Sequence, residues 1–152
     1  MSAASNYLEN EILDHILGEG ARDFTSPATL FIALFSGSTT DVLAALEAGD
    51  SNTTAGNWGY YEITGNAYTR TAVNFNAASG GSATNSGNVT FPTATGNYDN
   101  TATSGSTVTC IAVMDASTAG NVLFYGQLDN PKEILNGDTF QISDTNLQIS
   151  LA

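Results

Sequence analysis

The sequence predicts a mainly β protein: a jelly-roll-like antiparallel β-sandwich that carries an N-terminal amphipathic helix. Short apolar, β-branched runs recur along the chain, separated by loops rich in Gly, Ser, Thr and Asn. No helical pattern lies between successive runs, which argues against a parallel α/β sheet. No fixed-period repeat is present, so solenoids and propellers are excluded. Charged residues are 12% of the chain, against about 25% in ordinary domains, yet 41% is hydrophobic, so a core can form. A length of 152 residues suits one core. Residues 1–20 read as a helix with its lead-in, and 21–152 as a single β-sandwich domain.

The elements follow in order. Asn6 with Glu9 fits a capping box. Leu8, Ile12, Leu13, Ile16 and Leu17 then fall on one helical face with Tyr7 beside them, and Gly18 suits a stop. Such a short helix is unstable alone and needs a sheet or a neighbouring subunit to dock on. Residues 28–36 form a strand with Leu30, Ile32 and Leu34 on one side and Phe31 and Phe35 on the other, so both faces are expected to be buried. Asp41–Ala48 is a short helical turn, capped by Thr40 or Asp41 and ended by Gly49. Trp58 to Ile63 reads as a short strand, and Tyr68 to Phe75 as a clearer one. Residues 76–87 read as a long unanchored loop, Asn88 to Phe91 as a strand stopped by Pro92, and 93–106 as another polar loop. Strands follow at 107–115 and 121–128, then Ile134-Leu135, 138–143 and the alternating run 146–151.

The equipment for chemistry is sparse. There is one histidine, His15, and one cysteine, Cys110. A zinc metalloprotease helix needs a second histidine four residues away, and none exists. A serine hydrolase lacks its G-x-S-x-G elbow. Paired carboxylates are available by number, but Asp50, Asp99, Asp129, Asp138 and Asp144 sit in turn-like sequence, where Asp is a turn former. Phosphate-binding glycine loops are absent. Asn97-Tyr98-Asp99-Asn100 offers oxygen ligands for calcium without EF-hand spacing. No catalytic residue, cofactor or metal is therefore expected. Cys110, in the run Thr107–Met114, reads as a buried small hydrophobe.

Fifteen acids face three bases (Arg22, Arg70 and Lys132), a net charge of −12. That balance excludes nucleic acid and anionic membrane surfaces as partners. No run approaches the about 20 apolar residues of a spanning helix. The N-terminal apolar residues alternate with acids and no base precedes Arg22, so no signal peptide is expected. Trp58, Tyr60, Tyr61 and Tyr68 either pack the fold or line a sugar-binding face.

The order of these segments resembles a family of small phage virion proteins, often described as tail-fibre or structural proteins. The likeness runs through Asn6–Leu17, Ser26–Phe35, Ala67–Phe75, Asn85–Thr95, Gly120–Leu128, Pro131-Lys132 and Asn136–Thr139. Segments 38–57 and 93–106 depart from it. The resemblance implies a non-enzymatic virion component, made in the host cytoplasm. Compactness, acidity and the lack of fibre heptads then favour a capsid decoration or cement protein on the outer capsid surface. Its expected partners are the major capsid protein and copies of itself, in a homo-oligomer. A tail or tail-fibre-associated protein is the alternative, and a carbohydrate-binding module that takes host glycan a further one. Tyr7, Leu8, Ile12, His15 and Ile16 are the expected protein-interface residues, together with Arg70, which either anchors an acidic patch on the partner or pairs with an acid of its own fold.

Overall fold

The computed structural model describes residues 3–17, 24–49, 51–100 and 107–151. Its centre is a five-stranded antiparallel sheet built from β1 (Ala3–Ala4), β2 (Leu30–Phe35), β3 (Thr71–Val73), β6 (Thr107–Met114) and β7 (Val122–Glu133), in the order β1-β7-β6-β2-β3. Two ribbons complete the β structure: β4 (Ser82–Thr84) with β9 (Gln148–Ser150), and β5 (Val89–Thr90) with β8 (Gln141–Ile142). The protein is thus mainly β and antiparallel, with an N-terminal helix. The two facing large sheets of a jelly roll are not what the described residues build. One sheet carries helices on one face and small ribbons on the other.

The reason lies in β2. Ile32, Ala33, Leu34 and Phe35 are each completely buried. Leu30, Ile32 and Leu34 pack with Val89, Phe91 and Phe140 on the ribbon face. Phe31, Ala33 and Phe35 pack with Val42, Leu46 and Trp58 on the helix face. A strand that is apolar on both sides requires cover on both. The cover on the helix face comes from α2 (Thr39–Ala48) and α3 (Trp58–Tyr61).

Several boundaries differ from the sequence reading. The helix α1 (Asn6–Leu17) is capped by Ser5, not Asn6. Ser5 is fully buried and its N–H donates to the Leu123 carbonyl at 3.0 Å, which fixes it beside β7. Its hydroxyl donates to the Val122 carbonyl and accepts the Leu8 N–H at 3.3 Å. Tertiary anchoring therefore chose the cap. Gly18, the expected stop, lies outside the described residues, as do the 20/21 boundary and residues 101–106 of the expected loop 93–106. The second helix starts earlier than Asp41, after Ser38, and ends at Gly49. There φ is 81° and the N–H donates to Ala45, a left-handed cap that glycine adopts without strain.

Trp58 to Tyr61 forms a helical turn rather than a strand. The turn lets the Trp58 ring enter the core, with its indole N–H donating to Gly49 at 3.1 Å and its edge against Phe35. Residues 76–87 are not an unanchored loop, because they contain β4 and Asn85. The Asn85 side chain is fully buried and joins three segments: it donates to Gly87 (2.9 Å) and Ser143 (3.0 Å) and accepts the Leu147 N–H (2.8 Å). The strand expected from Tyr68 shortens to Thr71–Val73, because Tyr68 turns inward. β7 runs well past Leu128, and its register against β6 jumps between Gln127 and Lys132. Pro131 lies within that irregularity, and the ladder resumes with Lys132 opposite Val108.

Gly59 in α3 has no room for a side chain: a Cβ would stand 2.9 Å from the Asn52 carbonyl and closer still to that of Ser51. Both obstacles are backbone. Gly59→Ala is expected to destabilise the protein by about 1–3 kcal/mol, the usual cost of overpacking, read as a lower urea midpoint with an unchanged m-value.

Candidate functional site

Two regions gather polar or exposed features, and they do different work. The first is a buried network around Arg70, just ahead of β3. Its Nε and Nη2 donate to the two Glu62 carboxylate oxygens at 2.7 and 2.8 Å, a bidentate pair. Its Nη1 donates to the Ala116 and Ala119 carbonyls in the β6–β7 turn, at 2.8 and 2.7 Å. The guanidinium also lies 5.2 Å from the Trp58 ring centroid. Burial works to lower the Arg70 pKa, but its hydrogen bonds to Glu62 outweigh that and raise it.

Tyr68 completes the network. Its hydroxyl donates to Glu62 at 3.1 Å and accepts the Leu34 N–H at 3.0 Å. Burial first, then the Glu62 charge, push this phenol well above its ordinary pKa, against the Leu34 N–H and the Arg70 charge. Arg70 pairs with an acid of its own fold, the second of the two readings, and it is buried. It therefore leaves the expected interface set, as does Leu8, which is buried beneath α1.

The other carboxylates and amides also serve the fold. Asp99, Asp138 and Asp144 accept backbone N–H groups of Asn100, Leu135 and Gly87, as turn formers do. Asp115 accepts from the Asn121 backbone and side chain at 2.6 and 2.8 Å. In the candidate calcium segment, Asn97 oxygens accept from Asn66 and Asn136, and the Asn100 amide donates to Ser36 and Tyr61. No group of three or more His, Cys, Asp or Glu gathers among the described residues. Cys110 is buried, and burial raises its thiol pKa despite a hydrogen bond with Thr109. Trp58 is only 2% exposed and Tyr68 is engaged as above, so these aromatics do not form an exposed sugar-binding row.

The second region is a surface. Ile12 is half-buried on α1, while Leu13, Ile16 and Leu17 are 52%, 70% and 71% exposed. Tyr7 is half-buried and His15 exposed. Leu13 and Leu17 were placed on the apolar face by the sequence but not among the interface residues, although both are more than half exposed. On the opposite side of the central sheet, a groove of about 460 Å³ runs between β6–β7 and β9. Ile111, Val113 and Phe124 form its floor, with Leu147 and Ile149 as its wall. Gly126, in register with Ile111, leaves the floor open. This groove was missed. Its only trace in the sequence is the period-two series Phe124-Gly126-Leu128, an apolar face with a gap.

A family model, that of the podophage GP4 fiber I protein gp80, matches residues 3–150. The chain belongs to this family. No curated protein matches it. Membership supports a non-enzymatic virion structural role, in agreement with the resemblance carried by the segment order. No helix among the described residues is long and apolar enough to cross a membrane.

Two outcomes follow from the network. Arg70→Ala leaves Glu62 without its partner and is expected to cost about 3–5 kcal/mol, seen as a lower denaturation midpoint. Tyr68 carries a sign as well as a size. Its folded-state pKa is raised, so its contribution is complete below about pH 10 and is lost as pH rises through the folded value. Tyr68→Phe is therefore expected to be about 1–3 kcal/mol less stable than the native protein at pH 8. The gap should narrow above pH 10 when urea midpoints of the two are compared.

Proposed function

We propose that this protein is a structural component of the phage tail-fibre apparatus that works through its surfaces and carries out no reaction. The full-length match to a fibre-protein family supports this position. The structure adds a physical reason: its one described arginine and most of its turn carboxylates hold the fold, while the apolar half of α1 faces outward. The single observation that carries the reading is that exposed apolar ridge on an otherwise acidic molecule. Exposed apolar patches on soluble proteins mark contact surfaces. The capsid decoration role drew on compactness, acidity and the lack of fibre heptads, and a small protein attached to a fibre needs no heptads of its own and can share the other two properties.

Copy number separates the two positions. Quantitative mass spectrometry of purified particles is expected to give a small multiple of the tail's own symmetry number. A count comparable with the major capsid protein would move the protein to the shell.

A further inference from the structure

We infer that the Asn136-Gly137 bond is a latent site of self-modification: the fold holds it in a turn that forbids deamidation, and opening of that turn lets the reaction proceed and makes the opening permanent. The site is separate from the surfaces described above.

Asn136-Gly137 is the one Asn-Gly step in the sequence. Glycine has no side chain to hinder its own nitrogen, so this is the step most prone to cyclise. Hydroxide removes the Gly137 amide proton, and the nitrogen attacks Asn136 Cγ. The bond from Cγ to the side-chain nitrogen breaks, and ammonia leaves with a proton taken from water. The resulting succinimide takes up water and opens at either carbonyl, to aspartate or to isoaspartate.

The structure blocks the first step. The Asp138 N–H donates to the Leu135 carbonyl at 2.9 Å, Gly137 has φ 91°, and φ of Asn136 is negative. Those are the marks of a type II turn, whose first central residue has ψ near about 120°. Ring closure needs the Gly137 nitrogen and the Asn136 Cβ on the same side of the Cα–C bond. In a type II turn they stand about 120° apart around it, out of reach. The nitrogen is also engaged, its N–H donating to the Ala94 carbonyl at 2.8 Å. Asn136 is exposed, so hydroxide reaches it freely. Backbone geometry protects this bond; burial does not.

The turn is held in place by the segment beside it. The Asn136 N–H donates to Asn97 Oδ1 at 3.1 Å and the Leu135 N–H to the Asp138 carboxylate at 2.9 Å. In return the Asp138 and Ile134 carbonyls accept the Ala94 and Tyr98 N–H groups at 2.8 and 3.0 Å. Rotating Asn136 into the reactive geometry therefore breaks the pairing with 94–98. An exposed turn of this kind opens locally at a lower free energy than the whole fold. Isoaspartate then routes the main chain through the former side chain, adding a methylene between residues 136 and 137. Gly137 no longer meets Ala94, the turn cannot reclose, and Ile134 and Phe140 lose the frame that seats them with Phe91 and Tyr98.

Peptide mapping of the intact protein after incubation in mildly alkaline buffer tests this. Cleavage after Lys132 yields a peptide with both Asn136 and Asn146, which fragmentation tells apart. In urea above the unfolding transition, Asn136 is expected to be the first asparagine to convert. In the native protein its conversion should be at least about tenfold slower (1.4 kcal/mol). Hydrogen exchange of the Gly137 amide reports the same opening, so its protection factor should equal the slowing of deamidation. Asn97→Ala removes the acceptor of the Asn136 N–H and is expected to speed both processes by one factor, with Trp58 emission unchanged. Deamidation slowed far less than exchange means that the closed turn reacts, and it overturns the inference. Equal rates in the native and unfolded chain overturn it too, as does another asparagine that converts first in urea. If Asn97→Ala does not fold, the comparison of exchange with deamidation in the native protein decides alone.

Discussion

The buried pair between Arg70 and Glu62 is the constraint on which the rest of the molecule depends. Desolvating two charges is costly, and it is tolerated only where every donor and acceptor is matched. Here the guanidinium is matched on all three nitrogens, by the carboxylate and by two carbonyls of the β6–β7 turn. Glu62 in turn orients Tyr68, which satisfies the Leu34 N–H. Two stretches of chain that are distant in sequence, 62–70 and the 116–119 turn, are thereby held to the doubly buried strand β2. Among the described residues no buried side-chain polar atom is left without a partner, which is what a core of this kind requires. In a chain so poor in basic residues, this one arginine has no substitute.

What could be read from the sequence depended on how local the physics was. The two faces of β2 were legible because alternation is a backbone property: Ile32 and Leu34 against Phe31 and Phe35 hold in any sheet. The outline of α1 was legible for the same reason. Its cap was not, because Ser5 and Asn6 are equally good caps by residue type. Only the pairing of β1 with β7 decides between them. Trp58–Tyr61 reads as strand by propensity, but the demand that the indole enter the core overrode it. Asn85 looked like one more loop amide, and its burial depends on Ser143 and Leu147, far along the chain.

The exposed apolar face of α1 was half legible. Periodicity placed the apolar residues of α1 on one face, but it does not say how much of that face the fold will cover. Leu8 and Ile16 are alike in sequence terms and opposite in exposure, at 3% and 70%. Arg70 was open to two readings, and geometry decided for the internal one. The groove was nearly invisible, because it is a gap between layers: it exists where two short ribbons leave a wider sheet incompletely covered.

The pairing of Ala3-Ala4 with Phe124-Tyr125 has a further consequence, for timing. The ledge on which α1 rests lies late in the chain, at the start of β7, and Ser5 reaches a partner 117 positions downstream. Chains emerge at about 5–20 residues per second, so the helix waits several seconds without its support, and so short a helix does not persist alone. The nascent chain therefore carries no docked α1 until Val122 to Tyr125 have emerged. Docking of α1 is thus among the late events of folding, set by a contact between the two ends of the chain rather than by the helix's own sequence.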